Sequence, residues 1–132
     1  MRLVNPGPGE LADRLSILAL KIAHGTQADK DVTHFVTERN ALLVQLRQAA
    51  PKAGIEQFFD LAAVNGMLWY AEDELREHRK SFGFGMGNVI PDEAVVIIKI
   101  AFRIQALNDR RADLVRQLNT LAGQDLGPEK LV

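Results

Sequence analysis

Apolar residues recur at helical spacing along four stretches of this chain, and each stretch predicts an amphipathic helix. The first runs from Pro8 to His24; proline suits a first helical position, and Gly25 is the predicted C-cap. Its apolar positions cover most of the helix circumference: Leu11, Leu15, Ile17, Leu18, Ala19, Leu20 and Ile22. Because its polar stripe is narrow, we expect this helix to be covered on two sides, by the rest of the fold or by a second subunit.

The other three stretches predict helices over residues 29–50, 54–80 and 91–122. Thr26 and Asp29 resemble a capping box before the second helix, Pro51 ends it, and Gly123 ends the fourth. In the third and fourth helices the apolar positions alternate in steps of three and four, which is the spacing of a seam packed against another helix.

These helices predict a single all-α domain over residues 1–132, resembling a four-helix bundle, with a long antiparallel hairpin made by the last two helices. The broad apolar surface of the first helix also predicts a homodimer.

Residues 81–88, SFGFGMGN, place three glycines at every second position between the third and fourth helices. A phosphate-binding loop requires glycines directly before a helix and a following Gly-Lys-Ser/Thr sequence. Here three residues separate Gly87 from Pro91, and no such sequence follows. We therefore interpret the stretch as a corner in which Gly83 ends the third helix.

Polar residues interrupt the apolar seams at a common level. If the last two helices are antiparallel about Met86, Asn65 lies near Asn108, with Arg111 one turn away. Arg39 on the second helix, and Asp13 or Arg14 on the first, interrupt or border apolar stripes in the same way. One interpretation is structural, because an internal Asp–Arg pair and buried amides fix helix register.

The other interpretation of this polar layer is a binding site. Arginine and amide groups that converge inside a bundle bind a small carboxylate or phosphate anion, and the helical chorismate mutases offer an architectural resemblance for a dicarboxylate. The candidate anion site comprises Arg14, Arg39, Asn65, Asn108 and Arg111.

Pairs of acidic residues at helical spacing suggest a metal site as a further alternative. All-α nucleotide pyrophosphohydrolases of the MazG type build a metal site from such pairs, and this chain resembles them in that respect. The candidate Mg²⁺ ligands are Glu10, Asp13, Glu74, Glu77 and Asp109. Unlike in that pattern, Arg76, Arg79, Arg110 and Arg111 are interleaved with the acids and can neutralise them.

The net charge and composition limit the classes of partner and the compartment that we expect. Among 132 residues, 16 Lys and Arg against 17 Asp and Glu give a net charge of -1, so we expect no nucleic-acid partner and no anionic membrane partner. The chain has no cysteine, and no apolar run has the length of a signal peptide or membrane span, so we expect a cytoplasmic protein. The three histidines are too scattered for a zinc or catalytic set.

Two groups of motifs resemble a family of small bacterial and phage-associated helical proteins. Its members read PGEL-D-L-IL near the N-terminus and ND-RA---LN---G near the C-terminus, matched here by residues 8–18 and 107–123. The loop at residues 85–90 and the last two residues depart from that pattern. The resemblance implies no established activity, but it implies that one set of residues distinguishes this fold: Glu10, Asp13, Asn108, Asp109, Arg111 and Ala112.

From the sequence we therefore expect a non-catalytic helical interaction or accessory module. We expect it to need no cofactor, to form a homo-oligomer and to bind a protein partner that the sequence does not identify. The pyrophosphohydrolase-like enzyme with Mg²⁺ and the anion-binding bundle remain the alternatives.

Overall fold

The computed structural model describes residues 6–49, 54–82 and 91–126, which form four helices. These are α1 (Pro8–Gln27), α2 (Thr33–Ala49), α3 (Ile55–Phe82) and α4 (Pro91–Leu126). No strand occurs within these three ranges, so the predicted all-α class is confirmed. The predicted corner after Gly83, which falls within residues 83–90, and the predicted stop at Pro51 lie outside the described residues.

The predicted end of α1 is wrong, because the helix continues through Gly25 to Gln27. The chain then turns back sharply: the Lys30 N–H donates to the Gly25 carbonyl at 2.9 Å, and Asp29 adopts a φ of 55°. A Cβ on residue 25 would lie 2.5 Å from a methyl group of Val32. This glycine therefore serves the close return of the following loop and does not end the helix.

The predicted capping box at Thr26 and Asp29 is also wrong, because Asp31 performs that role. The Thr33 N–H and hydroxyl both donate to Asp31 Oδ1, at 2.9 and 2.6 Å. These hydrogen bonds lower the pKa of Asp31, since they stabilise its ionised form. At the other end of the chain, α4 passes through its predicted stop at Gly123 and ends at Leu126.

Helix α1 is the centre of the packing. One apolar cluster joins it to α3 and α4 and comprises Ala12, Leu61, Val64, Leu68, Leu114 and Leu118. A second cluster joins it to α2 and comprises Leu11, Leu18 and Leu42, with Leu15, Phe35, Leu46 and Ala49 packed around them. The fold is thus a three-helix bundle of α1, α3 and α4, with α2 packed on the outer side of α1.

This arrangement explains the nearly all-apolar surface of α1. Its two apolar faces are covered within the chain, one by α2 and the other by α3 and α4. The surface of α1 therefore no longer requires a second subunit, and a homodimer needs a different argument.

Helices α3 and α4 are antiparallel. Arg103 pairs with Glu74 at 3.2 Å and Arg110 with Asp60 at 3.8 Å, so residue numbers rise along one helix as they fall along the other. With 36 residues, α4 is about 54 Å long, whereas the 20 residues of α1 span about 30 Å. A large part of the hairpin therefore has no α1 beside it.

The uncovered part of the hairpin, residues 72–80 of α3 and 92–99 of α4, is called the hairpin arm below. No residue in these two ranges is buried, whereas Ala71 and Ile100, which border it, are buried. Within the described ranges, no helix combines the length and hydrophobicity that crossing a membrane requires.

Candidate functional site

A polar cluster at the junction of α1, α3 and α4 is called the Asp13 centre below. The Arg111 guanidinium binds the Asp13 carboxylate with two hydrogen bonds, from Nε at 2.8 Å and from an Nη at 2.6 Å. Asn65 Nδ2 donates to Asp13 Oδ1 at 2.9 Å and to Ser16 Oγ at 2.5 Å. The Ser16 hydroxyl donates in turn to the backbone carbonyl of Asp13 at 2.9 Å.

The charges of Asp13 and Arg111 neutralise each other within the Asp13 centre. The hydrogen bonds with Asp13 raise the pKa of Arg111 above its usual range, partial burial lowers it, and the negative charges of Asp13 and Glu72 add to the rise. Asn65 is 3% exposed, and both its amide hydrogens are used. The cluster therefore joins one anion to one cation through a geometry that fixes the three helices in register.

A second polar contact explains the PGEL motif at the start of α1. The Gly9 N–H donates to Asn119 Oδ1 at 2.9 Å, and Asn119 Nδ2 donates to both carboxylate oxygens of Glu10 at 3.0 Å. A Cβ on residue 9 would overlap the backbone carbonyl of Val115. Glycine thus lets α1 approach the α4 backbone, and Asn119 satisfies one of the free N–H groups at the α1 N-terminus.

The five candidate anion-site residues do not all meet. Asn65 and Arg111 converge on Asp13, but Arg14 binds Glu38 of α2, with Nε 2.8 Å from Oε1. Arg39 donates to the side chain of its neighbour Asn40 at 3.0 and 3.2 Å. It lies on α2, which packs mainly against α1, and its hydrogen bonds go to Asn40 and not to the Asp13 centre.

Asn108, the fifth candidate, is exposed and lines a shallow cleft beside the Asp13 centre. The cleft has a volume of about 300 Å³ and is lined by Asp13, Asn108, Arg111, Ala112 and Val115. Arg111 is the one cation in that lining, and it is already bound to a carboxylate. An incoming anion would have to displace Asp13 or bind near its negative charge.

The five candidate metal ligands are dispersed. Glu10 accepts from Asn119, and Asp13 accepts from Arg111. Glu74 pairs with Arg103 at 3.2 Å, Glu77 pairs with Lys80 at 3.7 Å, and Asp109 is exposed. Within residues 6–49, 54–82 and 91–126, no three His, Asp or Glu side chains are grouped to hold a metal ion.

Three aromatic rings meet where α1 contacts α3. The His24 ring stacks on Trp69 with centroids 4.5 Å apart and planes 6° from parallel, and the Tyr70 ring meets it edge-on at 6.2 Å. This contact places the last turns of α1 against the middle of α3. It leaves the hairpin beyond residue 71 without cover from α1.

An apolar stripe that we did not identify from the sequence begins in the arm and extends three residues beyond it along α4. Val95, Ile98 and Phe102 are 49, 52 and 65% exposed and are spaced by three and four residues. This outer seam lies on the side of α4 opposite Ile100 and Ile104, which pack inward. The signal was present in the sequence, since residues 94–98, AVVII, are apolar on every side of the helix.

A second exposed apolar set lies on the outward side of α3. It comprises Ile55, Phe59, Met67 and Tyr70, which are 82, 75, 55 and 65% exposed. Gly66 lies among them, and a Cβ there would meet no atom within 4 Å. We call this set the α3 outer face.

Comparison of the chain with protein-family models, with curated proteins and with solved structures yields no match.

Proposed function

We propose that the protein is a non-catalytic helical interaction module that docks a helical partner on its hairpin arm. The observation that carries this proposal is the outer seam of Val95, Ile98 and Phe102, a helix-pairing stripe that is about half or more exposed along its length. Isolated exposed apolar residues need no explanation, but a row of them at seam spacing matches the way one helix binds another.

The energetics favour a partner at this position. Full burial of a Val, Ile or Phe side chain contributes roughly 1.5–3 kcal/mol, and the outer seam leaves much of that unrealised. The arm is also two helices without a third, so it gains little stability from its own packing. A partner helix on the outer seam would cover apolar surface and support the arm at the same time.

The Asp13 centre supports the same proposal by its neutrality. A site that binds an anion by charge needs a cation that is available to the ligand, and Arg111 has a bidentate carboxylate partner. The acidic residues considered for Mg²⁺ pair with Arg, Lys or Asn, apart from the exposed Asp109. We therefore assign the Asp13 centre a structural role and propose no cofactor.

We propose the cytoplasm as the compartment, because a chain without cysteine gives no sign of an oxidising environment. The partner proposed first is a second copy of the chain. This places the predicted homodimer on the arm and not on α1.

Site-specific photo-crosslinking in cells tests the docking surface without assuming the partner. A photoreactive amino acid replaces Ile98 in one variant and Thr120, an exposed residue near the far end of α4, in the matched control. We expect one discrete crosslinked product from position 98 and none from position 120. Equal products from both positions, or none from position 98, would refute the arm as the docking surface.

A further inference from the structure

We infer that the outer seam is occupied by α4 of a second copy of this chain, paired antiparallel about Ile98. This inference rests on the proposed function, because it names the partner of the same surface. Three features of residues 92–103 support it: the spacing of the seam, the order of its side-chain sizes and the distribution of its charges.

The spacing identifies the shape of the occupant. Val95, Ile98 and Phe102 follow steps of three and four, so they form one straight row along α4. A row of this kind accepts the matching row of another helix, side chain between side chains. An extended peptide would instead be recognised by backbone pairing at a sheet edge, and no strand exists in the described ranges.

The side-chain sizes make the row complementary to itself when one copy is reversed. An antiparallel copy centred near Ile98 places the small Val95 opposite the large Phe102, twice across the twofold axis. A parallel copy would place Phe102 against Phe102 and Val95 against Val95, which leaves one end crowded and the other loosely packed.

The charged residues beside the outer seam also favour the antiparallel orientation. Asp92 precedes the outer seam, Arg103 follows it, and at 100° per residue both lie on the same flank of the row. In an antiparallel pair these flanks adjoin, so Asp92 of each copy approaches Arg103 of the other. Lys99 lies on the same flank near the centre and approaches its own counterpart, so two attractive pairs are set against one repulsive pair. The midpoint between Asp92 and Arg103 differs by one residue from the midpoint between Val95 and Phe102. One register of the two helices therefore allows both pairs to form. In a parallel pair the same flanks lie on opposite sides of the interface, so Asp92 and Arg103 would meet no charge of this set across it.

Arg103 also contacts Glu74 of its own chain at 3.2 Å. Its side chain is 54% exposed, so it remains accessible to a second carboxylate. A pair of surface charges contributes little to stability by itself, but the choice between two orientations depends on which charges meet across the interface.

The small area of the outer seam limits the affinity that we expect for the dimer. The outer seam offers a few side chains per copy, less than the roughly 800 Å² per partner of a standard stable interface. We therefore expect a concentration-dependent dimer with a Kd on the order of 10 µM, within the range of weak interfaces.

Analytical ultracentrifugation over a range of concentrations tests the pairing, with circular dichroism as the check on folding. We expect wild type to pass from monomer to dimer and Ile98→Glu to remain a folded monomer. The matched control is Ile55→Glu, the same substitution at an 82% exposed residue on the α3 outer face, and it is expected to dimerise like wild type.

Charge reversal tests the orientation. We expect Asp92→Lys and Arg103→Glu each to weaken dimerisation about tenfold, and the double variant to return to within about threefold of wild type, because the attraction is restored with reversed signs. Arg116→Glu, on the same helix but with a 70% exposed side chain beyond the arm, serves as the control and is expected to have no effect.

Three outcomes would overturn the inference. They are a wild-type monomer at about 1 mM, loss of the dimer by Ile55→Glu but not by Ile98→Glu, and a charge double variant that is weaker than either single variant. A wild-type monomer that still gives a crosslink of different mass from position 98 would retain the proposed function and refute only the self-pairing. A monomer without any crosslink from that position would refute both.

Discussion

The body of the domain is the part in which α1 packs against α3 and α4. The body and the hairpin arm share α3 and α4 but differ in what covers these two helices. In the body, α1 lies in the groove between the two helices, and Leu61, Leu114 and Leu118 are fully buried. In the arm no third helix is present, and residues with equally apolar side chains, such as Ile98, stay half exposed. Similar side chains thus stabilise the fold in one region and remain available for binding in the other.

The polar groups differ between the two regions in the same way. In the body Asp13, Asn65 and Arg111 satisfy one another across three helices, within a partly buried cluster. In the arm the charges lie at the surface, where ion pairs contribute about 0–1 kcal/mol. The body therefore specifies the fold, and the arm's charges are suited to selecting a partner's orientation.

The largest expected difference between the regions comes from truncating an apolar side chain. Leu114→Ala removes a side chain with no exposed surface and leaves a cavity in the main core, so we expect a loss of about 3 kcal/mol in the free energy of unfolding. Ile98→Ala in the arm leaves no closed cavity, and we expect a loss below about 1 kcal/mol for the monomer.

Urea unfolding at low protein concentration, where the monomer is expected to dominate, measures both variants. Equal losses for Leu114→Ala and Ile98→Ala would mean that the arm is packed as firmly as the body. The proposed difference between the two regions would then be wrong.

The Asp13 centre provides the next test. Asp13→Ala leaves Arg111 and Asn65 without their shared acceptor, and we expect a loss of about 2–3 kcal/mol, below the full cost of breaking a buried pair because Arg111 is 33% exposed. Asp73→Ala removes a surface ion pair with Arg76 in the arm, and we expect a change of less than about 0.5 kcal/mol.

Thermal unfolding measured by circular dichroism compares the two aspartate variants. A small effect of Asp13→Ala together with loss of binding of a phosphate or dicarboxylate probe would assign the Asp13 centre to ligand binding and not to register.

Two glycines give opposite expectations for the same substitution. Gly9→Ala forces a methyl group against the Val115 carbonyl and disturbs the Asn119 contact, so we expect a loss of about 1–3 kcal/mol. Gly66→Ala adds a methyl group to an open helix surface and is expected to stabilise the monomer by about 0.5–1 kcal/mol.

Melting temperatures decide the signs of the two glycine effects. If Gly66→Ala destabilises the protein, the α3 outer face is covered in solution. In that event the α3 outer face, and not the outer seam, becomes the better candidate for the docking surface.

The smallest effect concerns pH. Asp31 has a lowered pKa in the folded state, so its ionised form contributes stability above the unfolded-state pKa of about 3.9, and this contribution is lost as the pH falls through the folded-state value. We expect Asp31→Asn to flatten the acid side of the stability profile slightly. Urea midpoints between pH 2 and pH 6 would show it, and an unchanged profile would contradict the capping role.

The sequence predicted the four helices because their apolar spacing depends on local periodicity. It misplaced the ends at Gly25 and Gly123 because a helix passes through a glycine when tertiary contacts favour it. At Gly25 the decisive neighbour is Val32, which the sequence alone does not place against the helix. At Gly123 the residue itself is buried, and α4 continues past it.

In the polar layer, too, the sequence predicted some positions correctly and others not. Asn65 and Arg111 were identified as interruptions of a seam, and the hairpin brings them to one level. Arg39 also interrupts a stripe, but its helix packs on the far side of α1, and no local pattern indicates which side of α1 a helix takes. Asn119 was missed because its role depends on the close crossing of α1 and α4.

The outer seam was missed for a different reason. Residues 94–98 also contribute to the inner seam of the hairpin, so that seam alone accounts for their apolar spacing and does not indicate a second stripe. A helix that is apolar on every side needs cover on every side, and α3 supplies only one of them.

The most direct test of the difference between body and arm is amide hydrogen exchange at two protein concentrations. If the arm docks a second copy through its outer seam, residues 92–102 will exchange rapidly in dilute solution and become protected as the concentration rises. Residues 9–18 of α1 will be protected equally at both concentrations. Exchange at residues 92–102 that is slow at every concentration, or rapid at every concentration, would contradict the account.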